Sequence, residues 1–158
     1  MKLFLFLAIS FLSLPTWAQI ASVQVSLRPA GSFIGKSSSV QGFAQQKGDH
    51  VEAHNIIVNL QNLETGITLR NEHTKKHLDT EHFPTAVLVS AQGKNGKGTG
   101  IIKIKGIEKP ITGSYEIHGK TLIATFKLNL SDFKIDHIKY MGVGVADEVQ
   151  ISVEVPVR

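Results

Sequence analysis

Through most of this chain apolar side chains recur at every second position, the period of a β-strand, and a single island, Leu63–Pro84 (LETGITLRNEHTKKHLDTEHFP), carries a helical reading. Strict alternation gives each segment one greasy and one polar face, so the segments must share a core on one side and face water on the other. One helix among many such strands points to a closed or nearly closed β-structure with a single decorated end.

The cleanest segment is Thr121–Leu130, where Leu122, Ala124, Phe126, Leu128 and Leu130 share one parity and Thr125, Lys127 and Asn129 the other. A closing strand places Val149, Ile151, Val153 and Val155 opposite Gln150, Ser152 and Glu154. Between the island and these, Thr85–Gln92 and Gly98–Gly106 flank Gly93–Lys97, whose Asn95-Gly96 pair is a hairpin signal. A turn bearing Pro110 then leads to Ile111–Ile117, with Tyr115 inward. In the first half, Val23, Val25 and Leu27 mark a strand stopped at Arg28-Pro29-Ala30-Gly31. A second strand is expected within Lys36–Gln46, anchored by Val40 and Phe43, with a bulge at Gly42. In the third, His50–Leu60, the apolar parity switches between Val51/Ala53 and Ile56/Val58/Leu60, which implies a bulge near Asn55. Tyr140–Gly144 reads as a glycine-bearing loop.

In the island Glu72 and Lys76 stand at i,i+4, Thr65 or Thr68 can cap the start, and Pro84 bars continuation. Its apolar residues Ile67, Leu69, Leu78 and Phe83 form no stripe, so the helix lies across the end of a sheet rather than inside a core. About eight short-turned strands give an antiparallel meander that removes its edges by closing. An eight-stranded barrel has an interior that side chains can fill or that one small ligand can share.

Residues 1–18 read as an export signal, with Lys2 before an apolar run Leu3–Leu14 and Thr16-Trp17-Ala18 offering a cleavage site after Ala18. That run is shorter than the ~20 residues a membrane span needs. Residues 19–158 are then expected to form one exported domain, in the periplasm. The chain has no cysteine, which excludes disulfides and thiolate chemistry. Its net charge of +4 is scattered rather than gathered into a basic stripe, so no nucleic-acid partner is expected.

Several stretches resemble the YceI-like family of bacterial exported proteins: Leu63-x-Thr65-Gly66, Arg70-x-x-His73, Leu78 and Phe83-Pro84, then Gly100–Gly106 with Lys109-Pro110, the Phe126 strand, Gly142, and Asp147-x-Val149. The likeness runs from about Val23 to Val157. It departs at the N-terminal strand, which lacks the family's aromatic and His-Ser features, and at Asn71, where members often have Asp. The resemblance implies an all-β fold: an antiparallel, eight-stranded, lipocalin-like barrel with one short helix between strands 3 and 4. It further implies binding of an isoprenoid or similar amphiphilic lipid in the interior, and leaves room for transient membrane contact and for a homodimer.

On this reading Ile56, Val58, Leu88, Ile102, Ile104, Tyr115, Phe126 and Leu128 line an apolar tunnel, and Arg70, His73 and Tyr140 stand at its rim. Leu88 is the one whose strand reads in either parity. The bland alternative is a packed barrel with a structural or partner-binding role. A third reading builds a metal site or metalloenzyme on His73 and His77, one helical turn apart; a zincin pattern would need Glu after the first histidine, and residue 74 is Thr. No nucleophile elbow or phosphate loop is present, so neither catalysis nor a cofactor is expected.

Overall fold

The computed structural model describes residues 19–140 and 142–158, so the expected leader lies outside the described residues. The elements in chain order are β1 (Ile20–Arg28), β2 (Ser32–Ser37), β3 (Val40–Gln41), β4 (Ala44–Lys47), β5 (His50–Asn59), α1 (Thr68–Leu78), β6 (Thr85–Lys94), β7 (Lys97–Ile104), β8 (Ile107–His118) and β9 (Thr121–Asn129). A 3-10 turn (Leu130–Phe133), β10 (Lys139–Tyr140), β11 (Val143–Val145) and β12 (Glu148–Pro156) complete the chain.

From β5 to β9 each strand pairs antiparallel with the next, and β12 pairs with both β9 and β1. Closure is the work of β2, β3 and β4, which act as one broken strand: β2 pairs with β1, whereas β3 and β4 pair with β5. The result is a nearly closed antiparallel barrel of eight strand positions, with α1 between the third and fourth. Beyond β12, Arg158 N–H donates to Ala44 O and Gln46 N–H to Arg158 O, both at 2.9 Å, which ties the seam on the other side of β4.

The broken strand corrects the expected second strand. It starts earlier, at Ser32, and breaks at Gly42, whose φ of +118° favours glycine and where an added Cβ would lie 2.7 Å from Ile56 Cδ1. Val40 pairs with Val58 and Gln41 with Ile57, but Ala44 pairs with Ala53, so β5 holds one residue more than its partner. The bulge is at Asn55, left-handed at φ +52°. With the extra residue on β5, alternation from Val40 to Ala44 runs unbroken, so Phe43 is turned out, 39% exposed under the Arg158 guanidinium at 4.3 Å, and Ala44, 1% exposed, is the inward residue.

Two further corrections concern turns. Pro110 sits within β8, paired with Ile101, and the turn is Lys105-Gly106, both left-handed. The strand tolerates proline because β8 pairs with β9 only from Gly113 to His118, so no ladder N–H is required at position 110 on that side. The expected Tyr140–Gly144 loop is instead a small hairpin, β10 with β11, laid against the end of β1.

No residue of α1 is buried, and neither Thr65 nor Thr68 caps it: the N-cap is Ile67, without a side-chain hydrogen bond. The helix stops at Asp79, left-handed at φ +52°, where the Asp79 and Thr80 N–H groups bond back to Lys76 O and Lys75 O, both at 3.1 Å. Leu78 reaches the barrel interior. The core divides into two groups, one around Ile56, Leu122 and Val155 and the other around Ile102, Phe126, Phe133 and Val149.

Candidate functional site

The register explains why the interior has room. One inward row runs Val51–Gly93–Gly98–Gly113–Phe126 across five hydrogen-bonded strands, and the next runs Ala44–Ala53–Ala91–Gly100–Ile111. Glycine and alanine at seven adjacent inward sites leave the wall of β4–β8 almost bare, where valine or leucine would have met across the middle. Between the two core groups lies a cavity of about 210 Å3 with an almost wholly apolar lining.

Ile56, Val58, Leu88, Ile102, Ile104, Tyr115, Phe126 and Leu128 all line this cavity. The ambiguity at Leu88 has a structural cause. Asn55 and Val89 lie opposite each other between the pairs His54–Ser90 and Ile56–Leu88, and the β6–β7 register shifts between Leu88 and Ser90. Both strands therefore carry one extra residue at the same height and reset their faces together. Ala91 and Gly93 face inward above the reset, and Leu88 and Ala86 below it. Sequence reasoning missed Val51, Ala53, Ala91, Gly93, Gly98 and Gly100, and from the other half Leu63, Leu78, Leu130 and Ile135. Small residues at inward parity were the available signal.

Arg70 is a brace: Nε donates to Thr65 Oγ1 at 3.0 Å, Nη2 donates to Thr65 O at 2.6 Å, and the guanidinium lies 4.3 Å over the Phe33 ring. Asn71 completes the brace, its Oδ1 accepting from Thr65 N–H and Thr65 Oγ1–H, each at 2.7 Å. Thr65, 6% exposed, is thus fixed by two residues of the helix's first turn. His73 is half-buried on α1, and Tyr140 pairs through its backbone with Val143.

Burial holds the His77 imidazolium below its ordinary pKa, and the neighbouring His73, Lys76 and Lys105 charges add to this. His82 moves the other way, raised by its 2.7 Å contact from Nδ1 to the Asp79 carboxylate, which is itself lowered. Among the described residues no group of three or more His, Cys, Asp or Glu could hold a metal ion. Nor, among those residues, is any helix long and apolar enough to cross a membrane.

A protein-family model for the YceI-like domain matches residues 16–157. The chain belongs to the YceI-like family. Solved structures agree on the fold. BcnA of Burkholderia cenocepacia superimposes with a TM-score of 0.67 at 16% identity, over 86% of this chain and 94% of that one. A polyisoprenoid binding domain from Saccharophagus degradans, implicated in plant cell wall breakdown, gives 0.57 at 9% identity, over 87% and 91%. A mutant CJ YCEI protein with a monobromobimane guest gives 0.61 at 16% identity, over 77% and 81%. No curated protein matches the chain in sequence. This YceI-like chain thus has the family's barrel, built around an apolar cavity.

Proposed function

We propose that this YceI-like protein binds and carries an isoprenoid or similar amphiphilic lipid in its barrel interior, in the periplasm and without bond chemistry. The observation that carries the reading is the apolar cavity between the two core groups. At about 210 Å3 it exceeds the cavity of roughly 150 Å3 that stays dry and accepts benzene in a packed protein core. Strands rise about 3.4 Å per residue and tilt by about 40° in a barrel, so the wall from Gly98 to Ile104 offers an axial run of about 15 Å. A slender chain fits such a space better than a compact ring system.

Energy favours a long chain. Burying each CH2 contributes about 0.8 kcal/mol, so a five-carbon prenyl unit contributes up to about 4 kcal/mol. Association costs roughly 4–15 kcal/mol in lost freedom. One unit is therefore too weak to hold, and several are needed. The near absence of polar lining means that affinity comes from transfer out of water, and selectivity from the shape of the space.

The test is solvent extraction of natively purified protein followed by mass spectrometry, with titration of the delipidated protein by a polyene fatty acid that fluoresces when buried. A stoichiometric prenyl or acyl compound in the extract, and saturable fluorescence, are expected. An empty extract combined with no saturable binding overturns the proposal.

A further inference from the structure

We propose that Tyr115 is the stop that fixes how long an apolar chain the barrel accepts, and that Gly93 sets how far back against the wall its ring lies. This deepens the lipid-binding reading and rests on it.

Tyr115 stands at one end of the cavity. Its N–H donates to Gly96 O at 2.9 Å, at the tip of the β6–β7 hairpin, and its ring lines the interior. The ring lies directly against the Gly93 backbone: a Cβ at position 93 would be 2.5 Å from Cε1, 3.0 Å from Cδ1 and 3.2 Å from Val51 Cγ2. Real Cβ atoms do not approach so closely, so any other residue at 93 would push the ring off the wall. Only glycine lets the ring lie back against this wall, and a side chain at 93 would drive it further into the space and shorten the run.

The rest of the cavity makes that ring a boundary. Beside Gly93, the inward row continues through Gly98 and Gly113 with no side chains, so little else blocks a chain running along this wall. At the far end Leu78, Leu130 and Ile135 close the space. A chain laid along β7 from Ile104 meets the Tyr115 ring after the ~15 Å run estimated above from strand rise and tilt. Each further carbon must then leave the cavity or displace the ring.

The experiment displaces the fluorescent polyene from delipidated protein with all-trans prenols of two to six isoprene units. It compares the wild type with Tyr115→Ala, Tyr115→Leu, Tyr115→Phe and Gly93→Ala, each checked for folding by circular dichroism and melting temperature. The wild type is expected to show a preferred length. Tyr115→Ala and Tyr115→Leu should move it upward by at least one unit, with at least a tenfold gain for the longest prenol relative to the shortest. Gly93→Ala should move it downward, and Tyr115→Phe should leave it in place. A wild type indifferent to length, or variants that keep the wild-type order, overturns the stop while leaving lipid binding intact. A wild type that binds neither the polyene nor any prenol overturns both. Should both shortened variants unfold, the Gly93→Ala shift decides, and an unchanged order there rejects the proposal.

Discussion

Thr65 shows how much of this structure rests on single polar groups. Its hydroxyl and backbone are gripped by Arg70 and Asn71, and it is almost inaccessible to water. Thr65→Val keeps the shape but leaves the Asn71 oxygen and the Arg70 Nε short of a partner, and a lost hydrogen bond of this kind costs about 1–3 kcal/mol. Urea unfolding should show that loss as a lower midpoint with an unchanged slope. The histidines give a second residue-scale expectation. His77 has a lowered folded pKa, so the unfolded chain takes up the proton first, and its contribution is present above its ordinary value near 6.5 and is lost as pH falls from there toward the folded pKa. His82, raised by Asp79, does the opposite: its contribution is full below 6.5 and is lost as pH rises through the folded pKa. Melting temperature against pH should therefore fall less on acidification in His77→Gln than in the wild type, and His82→Gln should lose the benefit seen on the acid side.

Among elements, the paired resets at Asn55 and Val89 decide which faces of β5 and β6 look inward. Asn55 is exposed and left-handed, a conformation that asparagine tolerates and a β-branched residue does not. Asn55→Val should cost about 1–2 kcal/mol, whereas Asn55→Gly should be close to neutral, as measured by equilibrium unfolding. Where β8 meets β9 the constraint is closer still. A Cβ at Gly113 would collide with Thr125 O and lie 2.8 Å from Phe126 Cβ. The β8–β9 ladder begins at this pair, so Gly113→Val should prise the strands apart and destabilise by more than about 2 kcal/mol, at the upper end of single substitutions. Amide exchange should quicken first at Phe126 and its neighbours.

For the whole molecule, cavity and stability are coupled. A ligand that binds only the folded barrel should raise the unfolding free energy by about 2.7 kcal/mol at a hundred times its Kd, so delipidated protein should melt lower than protein carrying its guest. Ala91→Phe places a ring in the cavity from the bare wall of β6. It should abolish saturable binding of the polyene while leaving the melting temperature of the delipidated protein unchanged or raised. A loss of stability there would mean that the space is too tight for a guest. The two core groups should then unfold together, because β1, β8, β9 and β12 run through both.

Much of the fold was legible because alternation is a local property. Leu122, Phe126 and Leu128 declare their face within their own strand, as do Val149 and Val155, and an Asn-Gly pair declares its hairpin. Leu88 was ambiguous because a bulge reverses the meaning of parity, and Phe43 was taken for an anchor because the bulge expected at Gly42 falls on the facing strand at Asn55; the partner strand alone reveals where a bulge falls. Pro110 was misread as a turn because the missing neighbour that permits it belongs to another part of the chain. The sequence by itself therefore determined the β-rich class, the single helix and most inward faces, since these follow from the apolar period. Only the tertiary structure decided that Gly93, Gly98 and Gly113 stand side by side in one row. Glycines far apart in sequence read as separate turns or bulges, and only strand register can make them one bare wall.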